Sequence, residues 1–376
     1  MSVRPLPLPG PSGRPASRVV AIEAVLPAHR YDQAEISAHL APLLTPDPLT
    51  APDAGRRTGT RRQLLHRLHA ASGVAQRHLA LPLQSYARLG SFDVTNAAFV
   101  EVGLDLAARA VKGALASAGL RPDEVDFLFF TTVTGVAAPS LDALLVPAAG
   151  LRPNVKRVPS FGLGCVAGAA GIARVDDYLA GHPEEVGLLV SVELCSLTLQ
   201  RDDTSVANLV ASGLFGDGAS AAVLAGSARS ARTPGWDVVR SESRLYPGTA
   251  DALGWDVGSS GFRIVLSPGL PDILARHLGD DVTEFLAPAG GIDAVDRWVV
   301  HPGGPKILQV LETALNLPAD ALAPSWASLR DVGNLSSSSV LHILAAMPCE
   351  AGEVALVLGV GPGVSTELVL LRAAST

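Results

Sequence analysis

Cysteine is scarce in this chain: Cys165, Cys195 and Cys349 are the three present among 376 residues. Spaced so widely, they form neither a disulfide framework nor a CxxC metal knuckle, so free thiols in a reducing compartment are expected and a metal centre is not. Aromatic residues make up 5%, no long Lys/Arg run occurs, and 29 basic against 36 acidic residues leave a net charge of −7. That balance speaks against a nucleic-acid partner. No apolar run reaches the roughly 18 residues of a membrane span. Pro5, Pro7, Pro9, Pro11 and Pro15 punctuate an N-terminus without the apolar stretch of a secretory signal, so residues 1–17 read as a flexible, extended tail. A soluble, cytoplasmic protein is expected.

What the chain does have is apolar bulk, 48% against 17% charged residues, ample for a large core. Its length fits two domains or one double one. Short β-branched or apolar runs alternate with longer helical stretches, the pattern of an α/β protein. Strands are expected at 18–25, 125–132, 186–193, 221–225, 298–301, 354–359 and 367–371. Helices are expected at 96–118, with Gly119 just past the last turn, at 165–180, and at 305–315, opened by Pro305. The small, polar, basic segment 226–234 divides 18–228 from 229–376, and a second loop is expected at 44–62.

Cys165 stands in Ser160-Phe-Gly-Leu-Gly-Cys165-Val-Ala-Gly168-Ala-Ala-Gly171, at the start of a predicted helix. A helix N-terminus aims N–H groups and partial positive charge at the sulfur, favouring thiolate. Gly164 and Gly168 permit a tight turn and close approach of a substrate. The same residues equally suit a small buried thiol between closely packed helices.

His301 ends an apolar strand in Trp298-Val-Val-His301-Pro-Gly303-Gly-Pro305. A strand end before a Gly-rich turn is where α/β folds present catalytic groups; a core histidine bonded to backbone is the plainer alternative. Gly303 in that turn is a candidate substrate-contact position. Asn334, in Gly333-Asn-Leu-Ser-Ser-Ser-Ser339, suits a helix N-cap as well as an amide donor. Gly359-Val-Gly-Pro-Gly363 lacks the GxGxxG spacing and downstream acid of a dinucleotide site.

Five segments taken together, GCVAG at Cys165, LFGDGASAAV at 214–223, WVVHPGGPKIL at 298–308, GNLSSSSVLHIL at 333–344 and GVGPG at 359–363, resemble the type III polyketide synthases of the chalcone synthase superfamily. The resemblance implies a duplicated, five-layer αβαβα thiolase fold and a homodimer. It implies Cys165 as nucleophile, completed by His301 and Asn334, and Phe215 as the active-site phenylalanine. Acyl-CoA and malonyl-CoA are the implied substrates, with no further cofactor. Arg67 matches a CoA-binding arginine, while two other basic positions of the plant enzymes fall at Leu64 and Ala71. Cys195 and Thr198 fall where the family lines its starter and cyclisation pockets, and they also suit small residues finishing a buried strand.

The second gatekeeping phenylalanine of the plant enzymes is replaced by Ile264, which implies a differently shaped pocket. Residues 254–267 are similar to bacterial alkylresorcinol and alkylpyrone synthases and differ from tetrahydroxynaphthalene synthases. A long or branched aliphatic starter extended by malonyl units, closing to an alkylpyrone or alkylresorcinol, is therefore expected. Alternatives are a tetrahydroxynaphthalene or chalcone-type product, a β-ketoacyl-ACP synthase III (whose family carries an HQAN-type motif where this chain has HPGG), and, remotely, a non-catalytic acyl-binding subunit.

Overall fold

In the computed structural model, residues 16–45, 54–230 and 233–374 are described. Nearly all of the expected tail, and parts of the 44–62 loop and the 226–234 boundary segment, lie outside them. The first half of the chain runs β1 (Ser17–Val25), β2 (His29–Asp32), α1 (Gln33–Leu44), α2 (Ala54–Ala70), β3 (Gln76–Leu79), α3 (Phe92–Ala118), β4 (Phe127–Thr132), α4 (Leu141–Ala149), β5 (Lys156–Phe161), α5 (Ala167–Ala180), β6 (Val186–Leu194), α6 (Val206–Leu214) and β7 (Asp217–Gly226). The second half runs β8 (Trp236–Leu245), β9 (Leu253–Gly258), β10 (Gly261–Leu266), α7 (Leu270–Leu286), β11 (Arg297–Val300), α8 (Pro305–Ala314), α9 (Ala323–Val332), α10 (Ser339–Ala345), β12 (Val354–Gly361) and β13 (Ser365–Ala373).

Nine strands form one sheet in the order β11-β12-β13-β8-β1-β7-β6-β4-β5, and its two arms repeat one pattern. β4 is parallel to β6, which is antiparallel to β7, which is antiparallel to β1. Likewise β11 is parallel to β12, which is antiparallel to β13, which is antiparallel to β8. The arms join where Arg18 and Val19 of β1 pair with Asp237 and Trp236 of β8.

Alternation along the strands builds the layers, because successive side chains point to opposite faces. Leu128, Phe130, Leu188 and Val190 face Leu106 and Val111 of α3 and Leu145 of α4. Leu356, Leu358, Leu368 and Leu370 face Leu274 and Leu278 of α7 and Leu308 and Leu311 of α8. The other faces, with Phe127, Phe129, Leu189, Ala355, Val357 and Val369, close on Ile172 and Val175 of α5 and on Val340 and Leu341 of α10. Helices therefore cover both outer faces and fill the middle, giving the expected five-layer, duplicated thiolase fold. β6, β7 and β12 are buried at every residue, which is why they read as mostly small or apolar runs, broken only by Glu193 in β6 and Asp217 at the start of β7 among charged residues.

Several boundaries differ from expectation for local reasons. α3 starts at Phe92, not 96: Asn96 spends its amide on Val136, donating to its carbonyl at 2.8 Å and accepting from its N–H at 2.9 Å. Gly119 ends that helix at φ +66°, its N–H bonded to the carbonyls of Ala116 and Leu115. β7 begins at Asp217, because its small residues through Ser220 pair with Ser191–Leu194 of β6. The expected 165–180 helix splits into a 3₁₀ turn, Gly164–Val166, followed by α5. Edge strand β5 was not expected, since its exposed KRVPSF sequence carries no buried run. No helix among the described residues is long and apolar enough to cross a membrane.

At the centre, α5 crosses the segment preceding α10 so closely that a Cβ on Gly168 would lie 2.2 Å from the Ser337 carbonyl oxygen and 2.7 Å from Val340 Cγ2. Overpacking of this kind typically costs about 1–3 kcal/mol. Gly168→Ala should lose stability of that order in denaturant unfolding. Gly59→Ala, at a position with nothing within 4 Å, should lose none. Equal behaviour of the two variants would contradict this packing account.

Candidate active site

Cys165 follows β5 on a turn that needs glycine at position 164. Gly164 has φ +56°, and a Cβ there would sit 2.6 Å from the Pro362 ring. Gly164 and Gly168 are thus filled by Pro362 and Ser337, which corrects the expectation that they open room for a substrate. The half-buried Cys165 Sγ donates to Ser336 Oγ at 3.5 Å, and Ser336 Oγ donates to Glu193 Oε1 at 3.2 Å. Glu193 also accepts from the Ser337 hydroxyl, from Thr134 Oγ1 at 2.9 Å and from Val133 N–H at 3.1 Å. Burial raises this carboxyl to about 7 despite those donors.

Burial first, with Glu193 adding to it, pushes the Cys165 thiol up to about 12, and the Ser336 bond offsets only part. His301, just past the end of β11, is buried, its N–H bonded to Leu358 O at 2.8 Å. Its Nδ1 is enclosed without a hydrogen-bond partner, and burial lowers the imidazole to about 3. A Cβ on Gly359, the residue after Leu358, would lie 2.9 Å from Val166 Cα, so β12 ties the His301 segment to the Cys165 turn.

Asn334 is also buried. Its backbone N–H donates to Leu214 O and its carbonyl accepts from Gly216 N–H, both at 2.9 Å, forming a one-residue bridge beside Phe215. Its Oδ1 accepts from Ser336 N–H at 2.8 Å. Asn334 is not the N-cap that its sequence context suits: Leu335 and Ser338 precede the two helices that follow, and the Asn334 amide oxygen instead closes a turn onto Ser336 two residues on.

Phe215, Ile264, Cys195 and Thr198 line one narrow cavity of about 30 Å³, smaller than a typical small-molecule site. Trp255 completes that wall, and Ile36, Leu40, Leu79 and Leu199 supply further apolar lining. Cys195 stands in the cavity wall near Cys165: burial, then Glu193, Asp217 and Cys165 around it, raise its thiol well above the ordinary value. Cys165, His301 and Asn334 do not line this cavity, although the Phe215–Asn334 bridge adjoins it. Gly303 is half-buried beside His301, where its own Cβ position would be 3.6 Å from His301 Cδ2. Arg67 is exposed on α2, two residues from buried His69 and so on roughly the opposite side of the helix, away from the cavity lining.

Sequence reasoning missed Glu193, Ser336, Trp255 and Arg77. Glu193 had a signal: it is the one charged residue in the otherwise apolar Val186–Leu194 run.

Residues 61–228 match the N-terminal domain, and 237–375 the C-terminal domain, of the chalcone and stilbene synthases. The chain is 50% identical over 360 residues to a 1,3,6,8-tetrahydroxynaphthalene synthase of Streptomyces peucetius, covering 94% of this chain and 92% of that one. It is 35% identical over 277 residues to an α-pyrone synthesis polyketide synthase-like protein of Mycobacterium tuberculosis, covering 72% and 70%. The crystal structure of the Streptomyces coelicolor 1,3,6,8-tetrahydroxynaphthalene synthase superposes with a TM-score of 0.85 at 29% identity, covering 96% of this chain and all of that one. These matches set aside the carrier-protein synthase and the non-catalytic alternatives: the chain belongs to the chalcone and stilbene synthase family and is a type III polyketide synthase, an acyltransferase that performs decarboxylative condensation.

Proposed function

We propose that Cys165 takes an aliphatic acyl group from its CoA ester, that malonyl-CoA extends it, and that the product closes to an alkylpyrone or alkylresorcinol. The observation that carries this reading is that Ile36, Leu40, Leu79 and Leu199 give an alkyl chain apolar contacts in the cavity that Cys195 and Thr198 also line, beside the polar Arg77, Tyr86, Ser196, Asn208 and Ser212. A second reading, a malonate-only tetrahydroxynaphthalene product, is favoured by the 50% identity to the Streptomyces peucetius protein.

In the chemistry proposed, a thioester on Cys165 stores the acyl group while the pocket takes the next substrate. Each partner alone is neutral at neutral pH, because burial penalises the thiolate and the imidazolium separately. Proton transfer from Sγ to the imidazole makes both charges at once, and their attraction at low dielectric offsets much of the double desolvation. After CO₂ leaves malonyl-CoA, the enolate oxygen receives the His301 N–H and the Asn334 NH₂, a two-donor site. Phe215 forms the apolar wall for the departing carboxylate, and Ile264 shapes the room beside it. CoA thioesters are the substrates and no other cofactor enters; exposed Arg67 is available to the diphosphate at the surface.

We further read the enzyme as a cytoplasmic homodimer. The support is the outer edge of the sheet, where Val158 and Phe161 of β5, with Leu163 and Val136 nearby, leave apolar surface exposed, Phe161 by 51%. An unpaired apolar edge of this kind is suited to a second copy. Free thiols fit a reducing compartment.

Two measurements test the reading. Incubation with malonyl-CoA and a panel of acyl-CoA starters should release pyrones or resorcinols that carry the starter's alkyl chain. Naphthol product alone, with every starter ignored, would replace the first reading by the second. The pH profile of Cys165 alkylation tests the pair: wild type should level off at or below about pH 7.5, and His301→Ala should keep climbing through about pH 9. The sign follows from burial, which raises the thiol once the imidazole is gone. Superimposable profiles would remove His301 as the base.

A further inference from the structure

Arg77, on β3, reaches the lining of the cavity described above, yet it is a guanidinium only 2% exposed. Its bonds go to uncharged oxygens: Nε to Gln33 Oε1 at 3.1 Å, Nη1 to Phe215 O at 2.5 Å and Nη2 to Ser212 O at 2.8 Å. Gln33 Nε2 in turn donates to Gly213 O at 2.6 Å. The carbonyls of Ser212 and Gly213 belong to the last turn of α6 and that of Phe215 to its C-cap, a helix end whose oxygens lack partners within the helix. A buried cation there meets the negative end of the helix and forms charge-assisted bonds stronger than neutral ones.

The Phe215 carbonyl lies between the two backbone bonds that hold Asn334, to Leu214 O on one side and from Gly216 N–H on the other. One guanidinium therefore anchors the segment that both sets the Phe215 ring in the cavity wall and grips Asn334 from the other half of the chain. Cys165 and His301 hang from different elements, the turn after β5 and the end of β11. We infer that Arg77 is a positioning residue for decarboxylation: by holding the Ser212 and Phe215 carbonyls it sets the Phe215–Asn334 bridge, and loading of Cys165 does not depend on it. This rests on the roles proposed for Phe215 and Asn334.

Arg77→Lys keeps the charge but replaces a planar fork by a single point. The two half-reactions are read separately: single-turnover acylation of Cys165 by an acyl-CoA, and CO₂ release from malonyl-CoA. Acylation should stay within about 3-fold of wild type, while kcat for decarboxylation falls by about 10²-fold, the usual scale for losing an oxyanion donor. KM for malonyl-CoA should move much less. Gln33→Ala, which removes the side chain orienting the guanidinium and leaves its charge, should shift decarboxylation the same way by a smaller factor. Should Arg77→Lys not fold, Gln33→Ala decides alone. Parallel loss of both half-reactions in step with Tm, or no loss of decarboxylation, overturns the inference. Asn334→Ala run alongside separates the layers: its impairment beside normal variants at Arg77 and Gln33 defeats the positioning role alone, whereas its normal decarboxylation removes the proposed role of Asn334 and the inference with it.

Discussion

At the middle of the molecule the Gly168 α carbon lies against the carbonyl of Ser337, too close for any side chain to intervene. That approach brings α5 of one half onto the serine run of the other, and the hydroxyls are then forced to find partners across the seam. Ser337 pairs with Ser191 at 2.8 Å, Ser338 with Ser220 at 2.6 Å, and Ser336 with Glu193 at 3.2 Å. Residues 336–339 are all 2% exposed or less, so each unpaired hydroxyl would carry its full desolvation cost. The seam fixes how the two arms of the sheet face one another. Cys165 sits in the 3₁₀ turn that leads into α5, and Asn334 precedes the serines, so both inherit their positions from it.

Burial of the seam also decides the electrostatics. Cys165, His301 and Glu193 are each driven toward the neutral form by loss of water. A nucleophile in such a place gains reactivity by sharing its proton with a neighbour. A solvated thiolate would be a different and less selective device. The Nδ1 of His301 is enclosed without a hydrogen-bond partner, and the Oδ1 of Asn334 is committed to the Ser336 N–H.

Much of this was legible in the residues. Buried strands such as Val186–Leu194 announce themselves because both faces are covered, and Gly119 marks the end of α3 by the left-handed turn it makes. Five short motifs pointed to Cys165, His301 and Asn334 as a set. Phe215, Ile264, Cys195 and Thr198 line one cavity, whose lining does not include Cys165, His301 or Asn334. What escaped was long-range. Arg77 lies 138 positions from Phe215 in the chain, and no periodicity links the two. Ser336 looked like one of four equivalent serines until the fold put it against Cys165. Edge strand β5 was hidden because its outward residues are charged or exposed. The steric role of Gly168 was misread as room for substrate, since a close approach is visible in sequence and its occupant is not.

The central claim is that Cys165 carries the growing chain. Intact-protein mass spectrometry after brief exposure to an acyl-CoA, with wild type, Cys165→Ala, Cys195→Ala and Cys349→Ala side by side, tests it directly. The account predicts one acyl mass added to wild type and to the Cys195 and Cys349 variants, and none to Cys165→Ala. An adduct that persists in Cys165→Ala, or none on any of the four, would contradict it.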